Sequence, residues 1–176
     1  MTRFASLLLG INVGGNRKVP MADLKGMLEK MGYENVKTLL ASGNVLLDAP
    51  GTAASVSSAM EEALQNTFGF SVGVITWTLD DLKKLAKTEP FKGIKLTPTT
   101  RLYVTFLSEK PKTTLKVPYV SEDKSYRILA VKNNVVISVL TVSESAGTVD
   151  AMKILAKEFG KKITTRNWNT VEKLLK

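Results

Sequence analysis

The sequence contains neither cysteine nor histidine, and these two absences remove several classes of function. Without cysteine, disulfides and thiolate chemistry are excluded, which fits a reducing compartment such as the cytosol. Without histidine, the chain lacks the commonest general base, the commonest zinc ligand and every Ser–His or Cys–His pair. Catalysis would therefore need Asp, Glu, Lys or Tyr, or a divalent metal held by oxygen ligands.

Long hydrophobic runs are missing too. No apolar stretch approaches the roughly 18 residues that a membrane-spanning helix needs, and the start Met-Thr-Arg-Phe shows no signal-peptide pattern. We therefore expect a cytoplasmic protein with no membrane partner. The 176 residues, of which 44% are hydrophobic, are enough to bury the core of one domain or of two small ones.

The net charge of +9 is distributed unevenly. Residues 1–88 carry 9 Lys and Arg against 8 Asp and Glu, which gives +1, whereas residues 89–176 carry 16 against 8, which gives +8. A body of this charge attracts anions such as nucleic acid, anionic lipid or a phosphorylated metabolite. The alternative is a well-solvated basic surface without a partner.

Apolar runs and helical spacings alternate in the order β-α-β-β-α-β over the first half of the chain. The second half repeats this order less fully, because the proline-containing segment Lys110–Lys124 has no helical period and is predicted as a loop in place of its first helix. Lys132-Asn133-Asn134 is predicted as a hairpin turn, and Thr78 as the cap of the short connector helix. The pattern predicts an α/β (α+β) protein of two ferredoxin-like (split βαβ) lobes, with mixed or antiparallel sheets and helices packed on them. We expect the first lobe and a connector helix in residues 1–90, and the second, basic lobe in residues 91–176.

The first candidate site is the loop Gly10–Lys18, which directly follows a buried strand. Its glycines permit positive φ angles and close approach of the backbone, and a helix that follows would direct amide groups at an anion. The loop matches neither the dinucleotide fingerprint nor the P-loop. The alternative is a tight connection between a strand and a helix, in which the glycines serve geometry.

The second candidate is Ser42-Gly43-Asn44, between two apolar strands. Glycine and asparagine are the residues that a hairpin turn favours, so a purely structural turn is one interpretation. The other is a β-bulge that directs Ser42 and Asn44 at the first loop.

The third candidate is the polar segment Thr164–Thr170 around Trp168. Arg166 and the first amides of a terminal helix would bind an anion. Alternatively, Thr165 or Asn167 caps that helix. For Trp168 we favour packing over stacking on a base, because a single aromatic residue is rarely a stacking platform.

The three segments GINVGGN-RKVPM, ASGNVLL and TTRNWNTV, in this order and spacing, resemble the bacterial family called domain of unknown function 1697. The resemblance extends from Phe4 to the end of the chain and implies two ferredoxin-like lobes. It implies no activity. It places these residues in the family's hallmark segments: Asn12, Gly14, Gly15, Ser42, Gly43, Asn44, Thr165, Arg166, Asn167, Trp168 and Asn169.

Three functions stay open. The first is a binding module for a phosphate-bearing small molecule or nucleic acid, which would use loop backbone, asparagine side chains and cations. The second is an enzyme that acts on a small anionic substrate without histidine. In it Arg17, Lys18 and Arg166 would stabilise negative charge during the reaction. The third is a scaffold or protein-interaction module whose motifs are purely structural. We predict no cofactor and no metal, name no protein partner, and expect the ligand to contact Asn12, Gly14, Gly15, Asn16, Arg17, Lys18, Ser42, Asn44, Thr165, Arg166, Asn167 and Asn169.

Overall fold

The protein is seen in a computed structural model that describes residues 1–143 and 150–176. The chain forms two compact units, Met1–Lys87 with Lys173–Lys176, and Thr88–Glu172. The described residues contain two antiparallel sheets and five helices, so the α+β class is confirmed. The division into domains at residues 1–90 and 91–176 stays a prediction.

The first unit contains four strands and three helices, in the predicted order. They are β1 (Thr2–Leu8), α1 (Met21–Lys30), β2 (Glu34–Leu39), β3 (Asn44–Ala49), α2 (Ala53–Phe68), β4 (Val74–Thr78) and α3 (Leu79–Lys87). The strands lie in the order β2-β3-β1-β4, and all neighbours are antiparallel. The connections through α1 and α2 each skip one strand, as a split βαβ unit requires.

Two helices cover one face of this sheet and close its core. In α2 the buried residues Val56, Met60 and Leu64 recur every fourth position, which places them on one side of the helix. They join the buried α1 residues Leu24 and Leu28 in one hydrophobic cluster with the strands. This shared core fixes the positions of the strands, and the loops that follow the strands start from these fixed ends.

The second unit adds five strands and one complete helix, and the terminal helix begins in it. These elements are β5 (Thr100–Leu107), β6 (Tyr119–Val120), β7 (Tyr126–Lys132), β8 (Val135–Thr141), α4 (Ala151–Phe159), β9 (Ile163–Asn167) and α5 (Trp168–Leu174). The strands lie in the order β6-β7-β8-β5-β9. Strands β7-β8-β5-β9 thus repeat the order β2-β3-β1-β4, although the name ferredoxin-like for the pair stays an interpretation.

Local signals account for most boundaries. The Thr78 hydroxyl accepts a hydrogen bond from the amide of Asp81 at 3.1 Å and caps α3, as predicted. Asn133 and Asn134, with φ of 51° and 60°, form the predicted turn between β7 and β8. One assignment is corrected: the segment Lys110–Lys124 was expected to be loop throughout, and it contains the two-residue edge strand β6.

Candidate functional site

The loop Gly10–Lys18 turns back on itself. The amide of Asn16 donates a hydrogen bond to the carbonyl of Val13 at 3.2 Å. Gly14 and Gly15 stand between them with φ of 60° and 75°. A two-residue turn with both angles positive is of type I′, which side chains other than Asn, Asp and Gly adopt poorly. The two glycines therefore serve the geometry of this turn.

Asn12 holds the loop in place with its carboxamide. Its Oδ1 accepts a hydrogen bond from the amide of Val19 at 2.8 Å, and its Nδ2 donates to the carbonyl of Val19 at 3.0 Å. The same Nδ2 donates to the carbonyl of Ala41 at 2.7 Å. Because these bonds join the loop to its own end and to the β2–β3 turn, Asn12 acts as a clamp between two loops.

Gly43 allows the β2–β3 turn to lie close to the first loop. Its φ is 81°, and a Cβ at this position would lie 2.7 Å from Cδ1 of Ile11 and 2.9 Å from Cβ of Leu8. Its carbonyl also accepts a hydrogen bond from the amide of Leu8 at 2.9 Å. A side chain does not fit between these neighbours, so glycine is required here.

Asn44 and Ser42 make the contacts of a turn. Asn44 is fully buried at the start of β3, and its Nδ2 donates to the carbonyl of Leu39 at 2.9 Å and to Oγ of Ser42 at 3.0 Å. These bonds satisfy the backbone and side chains of the turn itself. They favour the structural interpretation of this motif, while ligand contact by the two residues stays a prediction.

The two cations of the first loop differ in their surroundings. The guanidinium of Arg17 lies over the ring of Phe70, 5.4 Å from its centroid, and donates a hydrogen bond to the carbonyl of Ser71. Both contacts fasten Arg17 to the connection between α2 and β4. The neighbouring Lys18 is exposed, so its ammonium group is the more accessible charge for a ligand.

A cleft of about 390 Å³ opens beside this loop. Its wall brings together three predicted residues and four that the sequence reasoning missed; they are Asn12, Gly15, Lys18, Val19, Pro20, Met21 and Ala41. Pro20 precedes α1 and supplies no side-chain cap to its first amides. A proline at a helix start was a visible signal for two of the missed residues, whereas nothing in the sequence marked Ala41.

The third segment lies in the second unit. Arg166 is only 8% exposed, and its Nη1 donates to Oγ1 of Thr164 at 2.5 Å and to the carbonyl of Thr165 at 3.1 Å. Burial lowers the pKa of Arg166 to about 10, because a low-dielectric environment disfavours the charged form. Oγ1 of Thr165 in turn lies 2.8 Å from Oγ1 of Thr105 on β5. These contacts tie the segment to its own sheet.

The residues that follow lie at the junction of β9 and α5. Asn167 ends the strand, and both Asn167 and Asn169 are exposed, so they remain accessible. The ring of Trp168 meets the ring of Phe91 edge-on, with centroids 5.4 Å apart and planes at 62°. This geometry is typical of packed aromatic pairs and agrees with the preference for packing.

A second cavity, of about 410 Å³, lies in the second unit between the end of β5 and the α4–β9 connection. Four lysines line it, at positions 110, 112, 161 and 162. The sequence showed both pairs but gave no reason to place them together.

In residues 1–143 and 150–176 no three His, Cys, Asp or Glu side chains are grouped as a metal ion would need. The helices of that same part of the chain include none that could cross a membrane.

Comparison with known proteins shows the family to which the chain belongs. Residues 1–137 match the family described as "Protein of unknown function (DUF1697)". The chain belongs to this family. This DUF1697 chain is also similar in structure to the conserved bacterial protein SP0830 from Streptococcus pneumoniae, with a TM-score of 0.68 and 24% identity over 98% of this chain and 96% of that one. No curated protein matches it. The likeness to SP0830 concerns the fold.

Proposed function

We propose that this DUF1697 protein is a binding module for a phosphate-bearing ligand, a nucleotide or a nucleic acid end, held in the cleft beside the first loop. The observation that carries the proposal is the cleft of about 390 Å³ with Lys18 on its wall. A cleft of this size falls within the range that takes small ligands. The exposed ammonium group supplies a charge that attracts phosphate.

The backbone of the cleft supports an anion as well. Gly15 is exposed, and no atom lies within 4 Å of where a Cβ would be, so a ligand can approach the backbone closely at this point. Met21 begins α1 on the same wall, and the first amides of a helix favour negative charge. Lys18 and these amides would act together, the lysine as a point charge and the backbone as hydrogen-bond donors.

Asn12 contributes by preorganising the cleft. Its three hydrogen bonds fix the loop against Val19 and Ala41 before any ligand arrives. A preformed site loses less conformational entropy on binding than a loop that must first be ordered. In this proposal Asn12 positions the cleft wall, and Lys18 makes the charged contact.

The proposal is tested by thermal denaturation of the full chain against inorganic phosphate, nucleoside triphosphates, phosphorylated sugars and short oligonucleotides. A ligand at a hundredfold excess over its dissociation constant should stabilise the native state by about 2.7 kcal/mol. We expect the rise in Tm to vanish in Lys18→Gln and to persist in Lys30→Gln, an exposed lysine at the other end of α1. No rise with any ligand, or equal loss in both variants, would contradict the proposal.

A scaffold is the second candidate function, and a specific observation favours it. The carboxamides of Asn12 and Asn44 both bond to backbone within the motif region, which is what polar residues with a structural role do. The same denaturation experiment separates the two candidates. A scaffold predicts no response to the ligand panel, whereas early melting of an Asn12 variant is expected with either function because its three hydrogen bonds are lost.

A further inference from the structure

The cavity of the second unit arises where two chain segments meet at the end of its sheet. Leu107 on β5 is the register partner of Ile163 on β9. The chain that leaves β5 therefore runs beside the chain that enters β9, and the amide of Ser108 donates to the carbonyl of Lys162 at 3.2 Å. This pairing places two lysine-containing segments, about fifty residues apart in sequence, on the walls of one cavity.

The charge of this cavity is positive and accessible. We call its four lysines, Lys110, Lys112, Lys161 and Lys162, the lysine groove. All four are exposed, and none forms an ion pair with a carboxylate in the part of the chain that the structure describes. Two glutamates also line the cavity.

Four lysines against two glutamates, Glu109 and Glu158, leave the lining with a net charge of +2, so the glutamates lower the charge of the groove without cancelling it. The carboxylate of Glu158 accepts a hydrogen bond from the hydroxyl of Thr113 at 3.0 Å, which engages one of its oxygens. Lys153 and Lys157 are exposed on α4. Because they are four residues apart on a helix, they are neighbours on its surface. Helix α4, whose end lines the cavity, therefore carries further positive charge.

We propose that the lysine groove binds the sugar–phosphate backbone of a nucleic acid strand. Lysine carries a compact charge on a flexible stem, which suits phosphates without demanding a fixed geometry. Contacts to phosphate position a strand and carry no sequence information. Binding should therefore be independent of sequence and driven by release of counterions.

Two other anionic partners fit the groove less well. A bilayer presents a flat surface, whereas the lysines stand around a concave cavity of about 410 Å³. An acidic peptide is best recognised by arginine, whose fork pairs with carboxylates through two bonds, and no arginine lines this cavity. A polynucleotide strand places a charge at every residue and carries a counterion atmosphere, so it profits most from four lysines.

The test is fluorescence anisotropy of the full chain with a labelled single-stranded DNA of about 16 nucleotides. One variant neutralises the groove by Lys110→Gln, Lys112→Gln, Lys161→Gln and Lys162→Gln. The control carries Lys30→Gln, Lys37→Gln, Lys83→Gln and Lys87→Gln, four exposed lysines of the first unit. The two variants have the same net charge, so they separate a local site from overall attraction.

We expect binding by the native chain at about 50 mM salt that weakens steeply towards 200 mM. The groove variant should lose at least about tenfold in affinity, and the slope of log K against log salt should fall by about 0.7 for each phosphate contact removed. The control should stay close to the native chain. Equal losses in both variants, or no binding at low salt, would overturn the proposal.

Competition decides the class of partner. Unlabelled DNA should displace the labelled strand, whereas polyglutamate or anionic vesicles of equal charge should do so poorly. Displacement by either as effective as by DNA would overturn the assignment to nucleic acid. The inference is independent of the cleft beside the first loop. The groove variant keeps Lys18, so its rise in Tm with nucleoside triphosphates should match that of the native chain, and the two proposals can fail separately.

Discussion

The Nδ2 atom of Asn12 donates a hydrogen bond of 2.7 Å to the carbonyl oxygen of Ala41, 29 residues further along the chain. With the two bonds to Val19, it uses both ends of the carboxamide. Contact of this carboxamide with a ligand stays a prediction. In this protein its side chain holds two loops together, and a cleft forms beside them.

Replacing Asn12 should therefore affect stability first. In Asn12→Gly three hydrogen bonds are lost, and we expect the free energy of unfolding to fall by about 2 to 3 kcal/mol, at roughly 1 kcal/mol for each bond. Glycine is chosen because Asn12 has φ of 56°, which glycine adopts without strain. Urea denaturation measures the change.

The control is Asn16→Gly in the same loop. The exposed Asn16 bonds to Val13 through its backbone, which the substitution leaves in place. We expect its free energy of unfolding to fall by no more than about 1 kcal/mol, the ordinary cost of a glycine. Equal losses in the two variants would show that the carboxamide of Asn12 is not a clamp.

Gly43 should tolerate no side chain. In Gly43→Ala the new methyl group would lie 2.7 Å from Cδ1 of Ile11, at φ of 81°, so crowding adds to backbone strain. We expect a loss of about 2 to 4 kcal/mol in the free energy of unfolding. Gly14→Ala is the matched control, because Gly14 also has positive φ but open space around it. It should lose about 1 kcal/mol, and a loss as large as that of Gly43→Ala would refute the role of crowding.

The order of the elements along the chain followed from the sequence wherever a local signal was strong. Alternating elements predicted β1 to β4 with α1 and α2 between them, and the asparagines at 133 and 134 predicted the turn between β7 and β8. Strand β6 was missed because two residues next to Pro118 carry no pattern of their own. Such an edge strand exists through its pairing with β7, which is a tertiary effect.

The contacts of the candidate site depend more heavily on tertiary structure. The sequence showed Arg17 in the first loop, but not that Phe70 and Ser71 would receive its guanidinium. Likewise, the burial of Arg166 follows from the register of β9 beside β5. A strand of five residues is too short for its hydrophobic periodicity to predict this burial. The polar composition of these segments thus predicted which residues belong to the candidate site. The contacts of each side chain depend on tertiary packing, which the sequence did not show.

Arg166→Ala should therefore destabilise the fold. The substitution removes a buried side chain and the donor to Oγ1 of Thr164, itself buried. We expect a loss of about 2 to 4 kcal/mol in the free energy of unfolding from lost packing and hydrogen bonding. Arg127→Ala on β7 is the control, because Arg127 is exposed, and should change stability by less than about 0.5 kcal/mol. An unchanged Arg166→Ala variant would instead favour a residue kept for its ligand.

Two buried hydroxyls lie on neighbouring strands of the second sheet, that of Tyr126 on β7 and that of Ser138 on β8. Within residues 1–143 and 150–176, neither Oη of Tyr126 nor Oγ of Ser138 forms a hydrogen bond of good geometry, although the Ser138 hydroxyl is near enough to act on the phenol and lower its pKa. They are near each other, because Tyr126 pairs with Leu140, two residues from Ser138 on β8. Burial raises the pKa of Tyr126 to about 12, since the neutral phenol is favoured where water is excluded.

This shift predicts a loss of stability in alkali. Above pH 10 the unfolded chain releases the phenolic proton, whereas the folded chain keeps it until about pH 12. The folded state then binds more protons, so stability falls as pH rises, by about 1 kcal/mol per pH unit. In Tyr126→Phe this contribution is absent, and removal of a buried hydroxyl without a partner should leave stability at pH 7 unchanged or higher. Urea denaturation of both proteins between about pH 8 and pH 11 measures the difference in their free energies of unfolding. Above pH 10 the variant should become more stable relative to the native protein. A constant difference across the range would show that Tyr126 titrates normally.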